Sequence, residues 1–467
     1  MASLIPLWKG FTYFTHQENG IHWMLEKERV GTALPVGHVF GGIQCDDMGL
    51  GKTIQTVAVM AHHRKKESLL LAPLAMVETW VEVCLHAGMA VYEAVKGEWV
   101  RREGGGVPMH FIKCRPSVYM CNYEKILHRP SLVARVWDRI VLDEAHKIRN
   151  PAGALAKAVC AIAAPLRWAL TGTPLVNRLS DVASLFAFVG VPTEGRWESG
   201  FTALFPQLVI HRSLAELRKV IRGAPPVPEV HELVLPFATE EEEEFYHGVQ
   251  GGDEMMALKY GKELLSPFEM FKLLLRLRQL SVHPQVYINA KRREGDYERE
   301  DWSGPTTKLE QIGKIMNETD GEVHKYIVFC QFNEEMALLR EFLLSYAKDE
   351  NILMYHGGMT QAERTAVLAH SKKTTETTVL LLQLQAGGVG LNLQEYDRVL
   401  FVSPWWTAAL MDQAVARAVR MGQTKVVKVY HLRLAAENKK TINIDTMVNA
   451  KADGKRKQLE KLFALCH

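Results

Sequence analysis

Several features that mark special classes of protein are missing from this sequence. Its 7 cysteines are scattered and include no Cys-x-x-Cys pair, so we expect reduced thiols, no disulfide framework and no zinc site. The most apolar window, residues 152–170, is interrupted by Lys157, Pro165 and Arg167, so no membrane span is predicted and no membrane partner is expected. The first residues lack a basic start followed by an apolar core, so we expect no signal peptide.

A large excess of charge of either sign is also absent. The 467 residues include 56 Lys and Arg against 53 Asp and Glu, which gives a net charge of +3. This balance neither predicts nor excludes a basic cleft for nucleic acid. Apolar residues make up 47% of the chain, so long disordered tracts are not expected, and the length predicts two large domains rather than one.

Short apolar runs alternate with helical patterns in two parts of the chain. The first part holds runs at residues 68–72, 118–121, 139–142 and 168–171, and the second at residues 326–330, 351–355, 378–382, 398–402 and 426–430. Buried parallel strands are short and apolar throughout, and the longer segments between these runs suit crossover helices. The pattern predicts an α/β fold of two tandem domains, each a parallel sheet flanked by helices.

The predicted domain boundaries follow changes in composition. Pro225, Pro226 and Pro228 mark an exit from the first α/β domain. The predicted division is an N-terminal α/β lobe at residues 1–225, a helical insert and linker at 226–305, a C-terminal α/β lobe at 306–434 and a helical surface tail at 435–467.

An acidic run follows these prolines. Thr239 precedes glutamates at positions 240–244, which could form a partner-binding patch. A helix start explains the run more simply, with Thr239 as the N-cap and Glu242 as its capping-box partner. We favour the helix.

A glycine-rich segment at residues 46–53, Asp-Asp-Met-Gly-Leu-Gly-Lys-Thr, predicts a phosphate site. It lies between an apolar stretch and a helical pattern, so its N–H groups and the positive helix end would face phosphate oxygens. Lys52 would reach the β- and γ-phosphates, and Thr53 would hold Mg²⁺. The general phosphate-loop pattern has glycine where this chain has Asp46, so the segment alone could also be a glycine-rich turn.

Two carboxylates follow the apolar run at residues 139–142. Asp143 and Glu144 would lie at the rim of a parallel sheet, where ligands bind. Asp143 can hold Mg²⁺ directly or through water, and Glu144 can orient and activate an attacking water. With the phosphate loop on the same domain, the two carboxylates predict phosphoryl transfer.

Two arginines of the second domain complete the candidate set. Arg417 and Arg420 lie three residues apart in segment 413–423, so they are predicted to share one helix face. Two guanidinium groups suit the charge that develops on a γ-phosphate. The alternative is a pair of solvated surface arginines.

Taken in order, these segments resemble the motifs of the Swi/Snf-type ATPases of helicase superfamily two, between residues 14 and 434. Residues 46–53 are similar to motif I of that family, Asp46 included, and residues 143–146 match its motif II. The other motifs that carry the resemblance are residues 72–74 with Trp80, 170–174, 277–280 with His283 and Pro284, 356–359, 385–392, 404–406 and 413–423.

The resemblance implies two RecA-like lobes close to a bare motor core, with ATP and Mg²⁺ as ligands. It assigns catalysis to Lys52, Glu144, Arg417 and Arg420, and metal binding to Thr53 and Asp143. The implied nucleotide-binding residues are Gln17, which would read adenine, and Asp47, Met48, Gly49, Leu50, Gly51, Lys52 and Thr53. Coupling of hydrolysis to movement falls to His146, Thr171 and Thr173, and nucleic-acid contact to His356, Gly357, Gly387, Gly388 and Trp405, of which the tryptophan could instead belong to the core.

The sequence departs from the family pattern at two positions near the arginines. Ala416 stands where the family commonly has glycine, and Val419 stands where histidine is frequent. Neither change removes an arginine. The chain also lacks the cysteine pairs of the zinc-bound insert that some repair-linked relatives carry.

The resemblance implies a DNA-stimulated ATPase that tracks along double-stranded DNA and remodels chromatin or other protein–DNA complexes. Its expected partners are double-stranded DNA and the nucleosomes or other proteins bound to it, in the nucleus or another intracellular site of DNA, including that of a virus. No oligomer is required. A strand-separating helicase of the DEAH class, acting on RNA or DNA, is the first alternative, although the segment 420–423 and His283–Pro284 argue against it. A catalytically inactive scaffold is the second.

Overall fold

A computed structural model provides the structure. It describes residues 3–35, 37–104, 115–174, 179–193, 198–221, 223–250, 266–295, 297–318, 322–387, 391–435 and 443–466. The chain forms two compact units. Unit 1 comprises Met1–Ala224 and Lys455–His467, and unit 2 comprises Pro225–Gly454.

The described part of unit 1 contains one sheet of nine strands. They are β1 (Thr32–Leu34), β2 (Gly37–Gln44), β3 (Glu67–Ala72), β4 (Ala90–Val95), β5 (Glu98–Arg102), β6 (Ser117–Asn122), β7 (Arg139–Asp143), β8 (Leu166–Leu170) and β9 (Val209–Ile210). Their order is β1-β2-β8-β7-β3-β6-β4-β5, and β9 also pairs with β2. The outer pairs β1–β2 and β4–β5 are antiparallel, and the remaining pairs are parallel.

Both faces of this sheet are covered, which explains why its central strands contain runs of consecutive apolar residues. Leu69 and Leu71 of β3 pack into one hydrophobic cluster, and Leu70 packs into the cluster on the opposite face. The helices described between residues 15 and 217 are α1 (Thr15–Arg29), α2 (Lys52–His62), α3 (Leu74–His86), α4 (Tyr123–His128), α5 (Ala154–Cys160), α6 (Leu179–Val189), α7 (Glu198–Leu208) and α8 (Leu214–Leu217). This arrangement confirms the predicted α/β fold of the first lobe.

A buried ion pair fastens α1 to the sheet. Glu28 accepts hydrogen bonds from Arg139 Nε at 2.6 Å and Arg139 Nη2 at 2.5 Å, and the side chains of both residues are fully buried. His63 Nδ1 lies 2.6 Å from the same carboxylate, and Trp168 Nε1 donates to it at 2.8 Å. Burial alone would raise the pKa of Glu28, but Arg139 and the hydrogen bonds outweigh it and lower the pKa to about 2.

The described part of unit 2 contains a second sheet, of six strands, in the order β10-β15-β14-β11-β13-β12. All of its pairs are parallel. The strands are β10 (Glu229–Leu235), β11 (Lys325–Cys330), β12 (Ile352–Tyr355), β13 (Thr378–Gln383), β14 (Arg398–Phe401) and β15 (Lys428–Leu434). The helices are α9 (Glu240–Val249), α10 (Pro267–Val282), α11 (Pro284–Arg292), α12 (Thr307–Met316), α13 (Asn333–Leu343), α14 (Gln361–Lys373), α15 (Leu384–Gly387), α16 (Ala408–Val415) and α17 (Ile444–Phe463). The second predicted α/β lobe is confirmed as well.

The region predicted as a helical insert begins differently from that prediction. Residues 229–235 form strand β10 at one edge of the second sheet, in register with β15. Only every second residue of such an edge strand needs to be apolar. Leu233 and Leu235 pack on the core while Val230 and Val234 are exposed, so the segment lacks a continuous apolar run.

The acidic run does begin a helix, but one detail of the predicted cap is wrong. Thr239 accepts a hydrogen bond from the Glu242 N–H at 3.2 Å, as an N-cap does. The Glu242 carboxylate does not return to Thr239. It accepts hydrogen bonds from the N–H and the hydroxyl of Thr307, at 2.9 and 2.5 Å. A tertiary partner therefore replaces the local one.

The tail predicted to lie on the surface is a helix with a buried face. Ile444, Val448 and Ala452 of α17 are buried, and so is Leu462 near its end.

The six cysteines among the described residues are free thiols. No helix in the described part of the chain is both long enough and apolar enough to cross a membrane.

Candidate active site

The glycine-rich segment at residues 46–53, which we call the phosphate loop, joins β2 to α2. Its backbone conformation favours glycine at two positions. Gly49 and Gly51 have φ values of +84° and +82°, the left-handed region that side chains disfavour. A Cβ atom on Gly51 would also lie 2.5 Å from Gln17 Nε2. The loop therefore needs glycine at position 51 for both its conformation and its close contact with Gln17.

The side chains of Lys52 and of two neighbouring residues of helix α1 contact carbonyl oxygens of this loop. Lys52 Nζ donates to the carbonyl oxygens of Asp46 at 2.6 Å and Asp47 at 3.3 Å. Gln17 Nε2 donates to the carbonyl oxygen of Leu50 at 3.4 Å, and His16 Nε2 lies 3.0 Å from the same oxygen. The structure thus brings the residue predicted to read adenine into contact with the residues predicted to bind phosphate.

The remaining loop residues differ in their exposure. Leu50 is buried, whereas Met48 and Thr53 are half-buried, and Thr53 is the second residue of α2. Thr53 therefore remains partly accessible to solvent, and Leu50 anchors the loop in the core.

The aspartate at position 46, where the general loop pattern has glycine, is paired with Arg212, for which the sequence gives no local signal. Arg212 donates to Asp46 through Nε at 2.8 Å and through Nη2, and Nη2 also donates to Gln55 Oε1 at 2.8 Å. The amides of Gln44 and Gln55 donate to the same carboxylate at 3.2 and 3.1 Å. Asp46 is fully buried, so this set of donors is what makes its charge tolerable. The departure from the general loop pattern is therefore a structural feature of the loop.

The same downstream segment holds Asp47. The N–H of Asp47 donates to the carbonyl oxygen of Arg212 at 3.0 Å, and Asp47 Oδ2 accepts from the N–H of Leu214 at 2.8 Å. His211 Nε2 lies 3.8 Å from Asp47 Oδ1. Burial acts to raise the pKa of Asp47, but the contacts with His211 and Leu214 prevail and lower it.

Asp143 ends strand β7 and is held in a fixed orientation. Trp80 Nε1 donates to Asp143 Oδ2 at 2.8 Å, and the N–H of Glu144 donates to Oδ1 at 3.1 Å. The hydroxyl of Tyr123 donates to the Asp143 carbonyl oxygen at 2.7 Å. Burial, followed by the charge of Glu144, raises the pKa of Asp143 to about 6, and Lys52 opposes that rise. Strands β2 and β7 both run parallel to β8, so the loop that follows β2 and the Asp143 carboxylate lie at the same edge of the sheet.

The donor set at this edge of the sheet fits a magnesium ion. Carboxylate and hydroxyl oxygens, here those of Asp143 and Thr53, are ligands that Mg²⁺ accepts. A buried carboxylate with a raised pKa next to a second carboxylate is also a place where a divalent cation lowers the electrostatic cost.

Glu144 has an unusual backbone conformation. Its φ of 51° and ψ of 51° lie in the left-handed region, which is uncommon for a residue with a side chain. Its carboxylate lies 3.3 Å from His146 Nδ1, and the same nitrogen lies 3.3 Å from Thr171 Oγ1. Thr171 Oγ1 in turn accepts from the N–H of Thr173 at 3.1 Å. The structure thus assembles the three predicted coupling residues into one chain of contacts that begins at Glu144.

Arg417 and Arg420 do not share a helix face, so that prediction is wrong. Helix α16 ends at Val415, and both arginines lie in the turns that follow. The carbonyl oxygen of Arg417 accepts from the N–H of Leu393 at 3.1 Å, a contact that takes the chain out of the helix.

The two arginines are nevertheless not solvated surface residues. Arg417 is 7% exposed. Arg420 donates through Nη1 to the carbonyl oxygen of Leu391 at 3.2 Å. Burial, followed by the charge of Arg417, lowers the pKa of Arg420, so the two positive groups influence each other inside unit 2. A cationic pair with this burial suits an anionic ligand.

The residues predicted to contact nucleic acid differ in their exposure and in their hydrogen bonds. Gly357 is exposed, and its N–H donates to Gln383 Oε1 at 3.1 Å. His356 Nδ1 accepts from the N–H of Gly358 at 3.2 Å. Gly387 ends α15, while Gly388 lies outside the described residues.

Trp405 has a partner within unit 2. It is half-buried and packs on the core, with the Arg278 guanidinium 4.8 Å from its ring centroid. This contact favours a packing role, which was the alternative to contact with DNA.

Three residues of the site were therefore missed or only half recognised from sequence. Arg212 and His211 carry no local signal, because they meet the phosphate loop only in the folded chain. Trp80 was singled out only as part of a motif. A fully buried tryptophan normally finds a hydrogen-bond partner for its N–H, and in the folded chain that partner is Asp143.

Two family models and several known proteins match this chain. A family model described as the SNF2-related domain matches residues 16–286, and one described as the helicase conserved C-terminal domain matches residues 307–422. The chain is 27% identical over 480 residues to the "Probable global transactivator" of Orgyia pseudotsugata multicapsid polyhedrosis virus, with 96% of this chain and 91% of that protein covered. It is 26% identical over 488 residues to the human "DNA excision repair protein ERCC-6", with 91% of this chain and 31% of that protein covered.

Two other similar proteins are named as a chromatin-remodeling complex ATPase and an ATP-dependent helicase. The chain spans 39% of the length of the first and 40% of the length of the second. A solved structure described as the Sulfolobus solfataricus SWI2/SNF2 ATPase core in complex with dsDNA aligns over 99% of both chains at 21% identity, with a TM-score of 0.41.

Proposed function

The chain belongs to the SNF2-related, helicase-like ATPases, and on that premise we propose that it is an ATP-driven translocase on double-stranded DNA that moves or removes DNA-bound proteins. The observation that carries the proposal is that the phosphate loop, which follows β2, and the carboxylates that end β7 lie at the same edge of the sheet in unit 1, because β2 and β7 both run parallel to β8. ATP hydrolysis requires a lysine at the phosphates, a carboxylate for the metal and a residue that positions the water, and Lys52, Asp143 and Glu144 would supply these in turn.

In this proposal the phosphate loop binds the triphosphate. Lys52 exchanges its loop carbonyl partners for the β- and γ-phosphate oxygens, and the positive end of α2 adds to the attraction. Thr53 and Asp143 would hold Mg²⁺, which neutralises phosphate charge during transfer. Trp80 keeps the Asp143 carboxylate turned toward that position through its N–H.

Glu144 is the proposed base. It orients a water whose oxygen attacks the γ-phosphorus while the bond from that phosphorus to the β–γ bridging oxygen breaks, and it receives the water proton. The contact with His146 fixes the direction of the Glu144 carboxylate and links it to Thr171. Arg417 and Arg420 are proposed to stabilise the negative charge on the γ-phosphoryl group as it transfers.

Double-stranded DNA is the proposed partner, and its expected effect is to favour the hydrolysis-competent conformation rather than to enter the chemistry. Contacts to phosphates, of the kind His356 and Gly357 could make, would bind DNA without regard to sequence. The proposed place of action is the nucleus or another site of cellular or viral DNA, with nucleosomes or other bound proteins as the load.

The test compares ATP hydrolysis without nucleic acid and with duplex DNA, single-stranded DNA and duplex RNA, across a salt series. We expect duplex DNA to give the largest stimulation and the stimulation to fall as salt rises, because phosphate contacts release counterions. Displacement of a triplex-forming strand should accompany hydrolysis, and Lys52→Ala should abolish both.

Two results would separate the alternatives. Stimulation by duplex RNA with strand separation would favour a DEAH-class helicase. Equal turnover with and without duplex DNA at low salt, with no triplex displacement, would remove the translocase function. Nucleosome sliding assays, done only after stimulation is seen, would then identify the load.

A further inference from the structure

The end of helix α17 packs against the core that supports the phosphate loop. Leu462 is buried in the same hydrophobic cluster as Ile43 and Cys45, which lead into that loop. Phe463 packs on this cluster, and Cys466 Sγ donates to the carbonyl oxygen of Val209 in strand β9 at 3.9 Å. These residues belong to unit 1, although they lie at the opposite end of the sequence from the loop.

Phe463 makes one contact that leads directly to the loop. Its ring stacks on the imidazole of His211, with ring centroids 3.5 Å apart and planes inclined by 8°. His211 Nε2 lies 3.8 Å from Asp47 Oδ1. A side chain of the last helix therefore covers one face of an imidazole whose edge faces a phosphate-loop carboxylate.

The histidine lies in a segment already bonded along the loop. Cys45 N–H donates to the carbonyl oxygen of Ile210 at 2.7 Å, and Asp47 N–H donates to that of Arg212 at 3.0 Å. Leu214 N–H holds Asp47 Oδ2, so His211 is the neighbour of the other carboxylate oxygen. The carbonyl oxygen of Asp47 is itself a partner of Lys52 Nζ, so the position of Asp47 bears on that of the phosphate-binding lysine.

From this geometry we propose that Phe463 and His211 are positioning residues for the phosphate loop, the ring of Phe463 holding the imidazole against Asp47. The inference rests on the proposed ATP site and adds a determinant of its nucleotide affinity. Neither residue touches the reacting atoms.

Loss of the ring face should loosen the loop rather than remove a ligand. The stacking of two aromatic rings stabilises a structure beyond the effect of the area that it buries. This stabilisation is large enough to change a binding constant by roughly two- to tenfold. We therefore expect Phe463→Leu, which keeps apolar volume but lacks a flat face, to weaken nucleotide binding by that factor. Phe463→Tyr keeps the ring and should bind nucleotide as the unchanged chain does.

The experiment titrates the full chain and its variants with a fluorescent ADP analogue. His211→Gln is expected to weaken binding to a similar extent, and Phe463→Leu should add nothing further in the His211→Gln background, because both changes break the same chain of contacts. Leu459→Ala is the matched control, since Leu459 packs on the same cluster and is expected to lower thermal stability alone.

A second readout does not depend on nucleotide. In protein labelled with ¹³C-histidine, the His211 C–H resonances, assigned with His211→Gln, should lose the ring-current shift in Phe463→Leu and keep it in Phe463→Tyr. Additive effects of the two substitutions, or unchanged affinity in Phe463→Leu, would overturn the positioning role. Failure of the unchanged chain to bind the analogue, with the ring-current shift intact, would instead count against the proposed ATP site.

Discussion

Trp80→Phe is expected to make the magnesium requirement of ATP hydrolysis depend on pH. The indole Nε1 donates to Asp143 Oδ2 at 2.8 Å, and phenylalanine keeps most of the apolar volume while removing this donor. The hydrogen bond favours the charged carboxylate, so its loss raises the pKa of Asp143 further above its present value of about 6.

The size of the effect follows from the strength of such a bond. A hydrogen bond to a charged group contributes about 1.5–3 kcal/mol, which corresponds to a rise of the Asp143 pKa to about 7 or 8. At pH 7 a proton would then compete with the metal for much of the carboxylate. We expect the Mg²⁺ concentration at half-maximal turnover to rise about tenfold at pH 7 and to recover substantially by pH 9.

The assay measures hydrolysis against Mg²⁺ concentration at several pH values. Trp137→Phe is the matched control, because Trp137 is also fully buried in unit 1 and donates its N–H to a backbone carbonyl oxygen at 3.3 Å. That variant should lose stability without changing the Mg²⁺ dependence. An Mg²⁺ requirement in Trp80→Phe that stays the same at every pH, or a matching change in Trp137→Phe, would refute the assigned role of Trp80.

Four further predictions concern other parts of the molecule. Glu144→Gln should bind ATP with near-normal affinity but turn over very slowly, and wild-type turnover would show that the base is misassigned. Arg420→Ala should lower turnover by roughly a thousandfold with little change in nucleotide affinity, measured by single-turnover kinetics, and normal turnover would contradict its role. Arg212→Met should leave Asp46 buried without its main partner and lower the free energy of unfolding of unit 1 by about 3–5 kcal/mol, the cost typical of breaking a buried pair. An unchanged free energy of unfolding in chemical denaturation would show that the pair is not needed. Glu28 has a folded-state pKa of about 2, below its unfolded value, so about 3 kcal/mol of stability should be present above pH 4.5 and lost as the pH falls toward 2. Denaturation midpoints at pH 3 and pH 6 test this last point, and Glu28→Gln should flatten the difference.

The sequence by itself determined the fold class and the identity of the local motifs. Strands β3, β7 and β11 could be predicted because a strand buried on both faces carries apolar side chains on consecutive residues, which the sequence shows directly. The glycine-rich loop before α2 could be predicted for the same reason, since the residues that shape it are consecutive, and its phosphate-binding role stays a prediction. Edge strand β10 escaped prediction because only one of its faces is covered.

Only the tertiary structure decided how those motifs are supported. Asp46 is paired with Arg212, which lies 166 residues downstream, and no local pattern announces such a partner. Glu242 turns from its own helix cap to Thr307, and the chain leaves helix α16 before Arg417, because contacts with distant segments outweigh the local preference. A local pattern specifies which backbone states and side-chain chemistries are available. The partner of a buried charge is chosen by where folding brings the rest of the chain.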